Sequence, residues 1–267
     1  MVVRADIGAL PCRPGLPAVD VRGRGRLVVL VHGVAFGPDT MVPTAQILSG
    51  RGLRVAVLHR RGYGRSAEMD QNDRIDLHVA DLLNTITRLG GEAPVVAGVS
   101  GGATIAVAAA IAHPECLAAI VAHEPALGPL AEGVNEILSA AAAGLAATSD
   151  PAAGAVSMAS TLAGPTSWLA IAEEQEDRVR ATGATVVAEV PSFVAFAPSF
   201  LDLTRLESLP VVSSVGRSSS QARHEAANVL VNYAGAALAV LPCHHLAQIE
   251  APDAFADTIC TAIGASS

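Results

Sequence analysis

Lysine is absent: all 17 basic residues are arginine. A lysine Schiff base, a P-loop lysine and pyridoxal-phosphate chemistry are therefore excluded. Basic charge is also short, with 17 arginines against 25 acidic residues and a net charge of −8. That balance argues against nucleic acid, whose phosphates want a basic face. Paired cysteines are missing too. Cys12, Cys116, Cys243 and Cys260 stand far apart with no CxxC, so no zinc spacing exists, and they read as reduced thiols of a cytoplasmic protein. Long apolar runs are likewise wanting. The stretch 94–112 is broken by glycine, and "MVVRADIGALPCRPGLP" has too short an apolar run before its prolines for a signal peptide, so neither a membrane span nor a leader is expected.

What is present is apolar substance. Hydrophobic residues make up 51% of 267 and charged ones only 16%. A large core is easy to build, in one α/β domain or a domain with an insertion. "LVVLV" (27–31) is a continuous apolar run that reads as a strand buried on both faces. Further strands are expected at 53–58, 94–99, 117–122, 209–215 and 237–241. Helices are expected at 40–49, 75–89, 101–112, around 221–233 and at 252–263. This alternation predicts an α/β fold, a mostly parallel central sheet with helices on both faces. Residues 126–199 are helical and strand-poor. They read as a cap inserted over the sheet's C-terminal edge, leaving 1–125 and 200–267 as the core domain. The strands of the Gly-, Pro- and Arg-rich region before Leu27 cannot be placed from its pattern.

"AGVSGG" (97–102) lies between an expected strand and an expected helix, and Gly98–Gly102 matches G-x-S-x-G. A sharp strand-to-helix turn needs glycines where backbones approach closely. It lifts the Ser100 hydroxyl above the sheet edge and leaves the Gly101 N–H at a helix N-terminus, where developing negative charge is stabilised. The bland reading is a glycine-rich turn with an incidental serine. A second motif, His32-Gly33-Val34 after the first buried strand, weighs against it. That loop is expected to supply the other oxyanion N–H, from Val34 beside Gly33, with His32 holding the loop.

"VVLVHG", "HRRGYGRS" and "GVSGG", in this order, resemble the α/β-hydrolase family. The resemblance implies a mostly parallel sheet with a helical cap and a nucleophilic serine. His59 stands where such families often carry aspartate.

A nucleophilic serine needs a base. Of the eight histidines, those in "LPCHHLAQIEAPDAF" (241–255) follow the last expected strand. Similar hydrolases carry a histidine seven residues before the proline that opens the last helix, which favours His245 with Pro252; His244 is the rival. The acid is harder. The turn after 209–215 reads "GRSSSQARHE" and holds no carboxylate until Glu225, on a helix; Ser218 could accept a hydrogen bond but carries no charge. Glu124, in "AHEPAL" at the end of 117–122, lies on the same rim as Ser100 and can reach the base from the other side. The bland alternative for Glu124 is a rim carboxylate facing solvent or pairing with an arginine.

With Glu124 as acid, Ser100, Glu124 and His245 resemble the Ser–Glu–His arrangement of the zearalenone lactonase group. "AHEPAL", "TSW" (166–168), "SVG" (214–216), "LPCHHL" and "PDAFA" have counterparts in order there. Residues 182–190 hold no aromatic residue where those lactonases place a substrate-packing tryptophan, so zearalenone itself is not the expected substrate. The cap offers Trp168, Phe193 and Phe196 for binding. The expectation is a cofactor-free serine hydrolase acting on a small hydrophobic ester or lactone, with no metal, no nucleic acid and no membrane partner; a homodimer stays open. The alternatives are a lyase or perhydrolase on the same machinery, or a ligand-binding protein with a vestigial triad. Epoxide hydrolysis and dehalogenation are disfavoured, because they need aspartate where Ser100 stands.

Overall fold

The computed structural model describes residues 7–10, 15–69 and 74–265. Cys12 lies outside them. Within them eight strands form one sheet: β1 (Ile7–Leu10), β2 (Val19–Arg22), β3 (Leu27–Val31), β4 (Arg54–Leu58), β5 (Val95–Val99), β6 (Ala119–His123), β7 (Val211–Gly216) and β8 (Ala237–Leu241). Their order is β1-β2-β4-β3-β5-β6-β7-β8. The β1–β2 and β2–β4 pairs are antiparallel. From β4 to β8 every pair is parallel. Ile7–Leu10 and Val19–Arg22 thus form the antiparallel edge that the composition before Leu27 did not disclose.

The helices in chain order are α1 (Val42–Gly50), α2 (Ile75–Leu89), α3 (Gly101–Ala112), α4 (Glu132–Ala146), α5 (Pro151–Ala163), α6 (Pro165–Ala181), α7 (Gly183–Val194), α8 (Phe200–Thr204), α9 (Gln221–Ala234), α10 (Ala247–Glu250) and α11 (Pro252–Ala265). Side chains alternate across the sheet. Val28, Leu30, Val55, Val57, Val95 and Val121 pack on one face with Ala45 and Leu48 of α1 and Phe255 and Ile259 of α11. Val29, Val31, Ala56, Leu58, Val96 and Ile120 face the other way, against Leu82 of α2, Ile105 of α3 and Leu230 of α9. Both faces being covered explains why the parallel strands read as unbroken apolar runs. Each fully buried Val, Leu or Ile contributes about 1.5–3 kcal/mol.

Between β6 and β7 the described chain forms helices α4 to α8 and no strand. Helix α5 packs on α4, α6 and α7. Its limits follow from local chemistry: the Asp150 side chain accepts the Ala152 N–H at 3.0 Å, Pro151 opens it, and Gly164 ends it at φ 83°. Among the described residues no helix is long and apolar enough to cross a membrane.

Candidate active site

Ser100 follows β5 directly and precedes α3. Its backbone lies at φ 53°, ψ −120°, a region that costs a non-glycine residue about 1–3 kcal/mol. The flanking glycines are forced by contact. A Cβ on Gly98 would lie 2.3 Å from the Gly102 carbonyl oxygen, and one on Gly102 would lie 2.1 Å from the Val31 oxygen. The Ser100 N–H donates to the His123 carbonyl at 2.8 Å, which ties the turn to the neighbouring strand.

Glu124 is the corresponding residue on that strand. Val99 and His123 pair in register, so Ser100 and Glu124 leave adjacent parallel strands side by side. Glu124 also has a positive φ, 49°, and its N–H donates to the Ser214 carbonyl at 3.1 Å. Its carboxylate is buried, 3% exposed, and fully engaged. Oε1 accepts the Gly216 N–H at 2.8 Å and the Ser219 hydroxyl at 2.5 Å. Oε2 lies 2.7 Å from His245 Nδ1 and accepts Arg223 Nη1 at 2.9 Å. The "GRSSS" turn, empty of carboxylates, thus donates to Glu124 instead. Gly216 is required there, because a Cβ would lie 2.2 Å from the His244 oxygen. Ser219, not Ser218, reaches the carboxylate. Glu225 is exposed and bonds Gln221 at 2.9 Å.

The two candidate bases separate cleanly. His245, in the loop between β8 and α10, is buried against Glu124. His244 turns away: its Nδ1 lies 2.9 Å from Glu250 Oε2. Glu250 also accepts the N–H groups of His244 at 2.9 Å and Leu246 at 3.2 Å, bracing the loop. No hydrogen bond joins Ser100 Oγ to His245, whose ring contacts are Glu124 and Arg223; such bonds commonly tighten only when substrate binds.

Arg223 is the residue that sequence reasoning missed. It is 6% exposed, donates to Glu124, and donates from Nη2 to the Leu162 carbonyl at 2.7 Å. Nη1 also lies against His245 Nδ1 and 3.2 Å from Nε2. Nδ1 cannot donate to Glu124 and accept from Arg223 at once. Nδ1 carries the proton and donates it as a hydrogen bond to the carboxylate, and Arg223 acts on the imidazole through its charge. A signal existed: Arg223 shares the buried stripe of α9 with Ala226, Ala227, Leu230 and Ala234, and a charge on an apolar helix face needs a buried partner.

Burial, and after it the charge of Arg223, lowers the His245 pKa to about 4, against the opposing pull of Glu124. Burial alone would raise the Glu124 carboxyl. The His245 hydrogen bond and the nearby charges of His123, His245 and Arg223 outweigh it, holding Glu124 well below the usual carboxylate range. Cys243 is no competing nucleophile, since burial, helped by Glu250 and Glu124, pushes its thiol up to about 12.

Gly33 and Val34 lie where an oxyanion could be met. A Cβ on Gly33 would lie 3.3 Å from Ser100 Cβ, and one on Gly101 would lie 2.9 Å from a Val34 methyl carbon. Gly101 is the first residue of α3, so its N–H has no partner within the helix. His32 holds this loop: Nδ1 lies 3.0 Å from the Gly33 carbonyl, and Nε2 accepts the Arg60 N–H at 3.3 Å. His59, the departure from the family pattern, bonds Asp20 at 2.9 Å and accepts the Arg65 N–H at 3.1 Å, away from Ser100.

The aromatic residues divide. Phe193 reaches the site, its ring 3.1 Å from where a Gly101 Cβ would stand. Trp168 is buried in the same apolar cluster as Val34, Phe193 and Leu246. Phe196, partly buried, packs against that cluster. It follows the end of α7 and lines a cleft of about 850 Å³ with Ile75, Val79, Ile111 and Pro191. A second cleft, about 480 Å³, opens onto His245 between Leu162, Pro165, Ser167, Ser219 and Arg223.

Residues 28–258 match the family model described as the alpha/beta hydrolase family. Together with the sheet order and the serine turn, this defines the class: the chain belongs to the alpha/beta hydrolase family. It is 33% identical over 123 residues to the uncharacterized hydrolase YraK of Bacillus subtilis (strain 168), covering 45% of each chain. It is 34% identical over 100 residues to epoxide hydrolase B of Mycobacterium tuberculosis (strain ATCC 25618 / H37Rv), covering 37% of this chain and 28% of that one. The match therefore spans less than half the length of these curated relatives. The crystal structure of a hydrolase from Pseudomonas aeruginosa PA01 superposes with a TM-score of 0.76 at 21% identity, covering 97% of this chain and 98% of that one. That likeness is one of fold.

Proposed function

We propose that the protein is a serine hydrolase that cleaves a carboxylic ester or lactone of a small hydrophobic substrate through an acyl-enzyme. Ser100 is the nucleophile, His245 the base and Glu124 the acid. The observation that carries this reading is the conjunction of Ser100 at φ 53° in a strand–turn–helix with a buried Glu124–His245 contact of 2.7 Å. Glu124 accepts the hydrogen bond of His245 Nδ1–H, which leaves Nε2 as the unprotonated nitrogen that accepts the Ser100 proton. Oγ attacks the carbonyl carbon, and the oxyanion is met by the N–H groups of Val34 and Gly101, with Gly33 giving close approach. Collapse expels the alcohol, protonated by His245, and water resolves the ester by the same route.

An apolar substrate suits the surroundings, since Val34 and Phe193 lie against Gly101 beside the serine. Residues 126–199 would form the cap over it, with 1–125 and 200–267 as the core. Epoxide opening, the activity in one relative's name, calls for aspartate where Ser100 stands. The approach of Arg223 Nη1 to both ring nitrogens of His245 favours a second reading, a ligand-binding protein with an idle triad. A fluorophosphonate probe and a panel of p-nitrophenyl esters and lactones decide between them. Wild type is expected to label and turn over, and Ser100→Ala to do neither while keeping its fold. Absence of labelling and turnover in wild type would leave the binder.

A further inference from the structure

We propose that Glu189, on α7, is a positioning residue for the oxyanion loop: with Arg60 it fixes the Gly33–Val34 peptide, so that the seating of α7 sets the oxyanion hole. This rests on the proposed hydrolase reading.

The contacts form one chain. Arg60 Nη1 donates to Glu189 Oε2 at 2.7 Å, and Arg60 Nη2 donates to the Gly33 carbonyl at 2.8 Å. The Tyr63 hydroxyl donates to Glu189 Oε1 and accepts the Ala35 N–H at 2.9 Å. Arg60, Tyr63 and Glu189 are each at most 1% exposed. In a trans peptide the C=O and N–H point opposite ways. A Gly33 oxygen held by Arg60 and His32 therefore turns the Val34 N–H away from Arg60. The guanidinium also polarises that peptide and strengthens its N–H as a donor.

The loop cannot hold this shape unaided. Ala35 sits at φ 65°, which costs a residue with a side chain about 1–2 kcal/mol, and its N–H is held by the Tyr63 hydroxyl. Helix α7 is seated on the same loops elsewhere. Thr185 donates to the Gly62 carbonyl at 2.9 Å, and Phe193 lies under Arg60 and against Gly101. A buried ion pair adds little net stability over an apolar pair of like volume, so this pair's place on the Gly33 carbonyl calls for another role.

The test uses the double variant Arg60→Met/Glu189→Leu, which removes both charges together, with Tyr63→Phe as the milder change. Expected for the double variant is a Tm near that of wild type and a p-nitrophenyl ester kcat lower by about 10²-fold, with KM little changed. An alkyl boronic acid, which mimics the tetrahedral intermediate, should bind weaker by a similar factor. Tyr63→Phe should shift kcat and boronate affinity in the same direction, by less. If the double variant folds with kcat within about threefold of wild type, or if Tyr63→Phe does so where the double variant fails to fold, the coupling is overturned. If wild type neither labels with fluorophosphonate nor turns over ester, the hydrolase reading itself fails, and this proposal with it.

Discussion

Glu124→Gln tests the acid most directly. The wild-type carboxylate accepts four donors, from Gly216, Ser219, His245 and Arg223. An amide has only one accepting oxygen, so its NH₂ must face two of these donors whichever way it is turned. If the oxygen stays with Gly216 and Ser219, the NH₂ faces His245 Nδ1. That nitrogen must then accept, the proton moves to Nε2, and Nε2 can no longer take the Ser100 proton. A wrong tautomer of this kind costs about 10⁴-fold in kcat. If the amide turns the other way, the tautomer survives but Gly216 and Ser219 lose their acceptor. In either orientation Arg223 keeps a buried charge without its counter-ion, which costs about 3–5 kcal/mol, or about 10 °C in Tm. Ester turnover and thermal melting should therefore both fall. Adding Arg223→Met to Glu124→Gln should recover most of the Tm and none of the rate. Activity of Glu124→Gln within tenfold of wild type (about 1.4 kcal/mol) would refute the assignment of Glu124.

Two further outcomes are expected. The acid limb of kcat/KM reports the free enzyme's base, so it should fall near pH 4 in wild type, following His245. Arg223→Met removes a positive neighbour, and the limb should move to higher pH; a limb that stays or moves lower would show that Arg223 does not set this pKa. Ser100→Gly should raise stability toward urea by about 1–3 kcal/mol, because glycine relieves the strain at φ 53°, while ester turnover disappears. Unchanged stability would remove the argument that this position is held at a cost.

The sequence pattern disclosed the parallel part of the sheet well. Leu27–Val31, Ile75–Leu89, Gly101–Ala112 and Ala237–Leu241 have the limits read from periodicity and glycine stops. Strand β6 was placed short at its end, since it runs through His123, a polar residue whose burial depends on pairing with Ser214 at 3.1 Å. Strands β1 and β2 were illegible, because an antiparallel edge of four residues each in a Gly- and Arg-rich segment lacks a continuous apolar run. At the candidate site, the rim position of Glu124 and the spacing to Pro252 pointed to residues that lie 2.7 Å apart. Arg223 and Ser219 escaped because their partner comes from a different strand, and the Arg60–Glu189 pair because its members sit on distant elements.

The register of β5 with β6 has a mechanical consequence. Ser100 and Glu124 emerge from neighbouring strands joined by the 2.8 Å bond from the Ser100 N–H to the His123 carbonyl. Their spacing is therefore the interstrand spacing, about 4.8 Å and the stiffest dimension a sheet has. His245 is tied less directly, its loop joined to the turn after β7 by the Ser218 N–H on the Cys243 carbonyl at 3.0 Å. Beyond Cys243 the loop is braced by the Glu250 carboxylate on the N–H groups of His244 and Leu246, bonds of a side chain that can rotate. Gentle heating would thus be felt first in the β8–α10 loop. On the proposed hydrolase reading, ester turnover would then be lost at a temperature governed by Glu250, below the temperature at which the sheet comes apart.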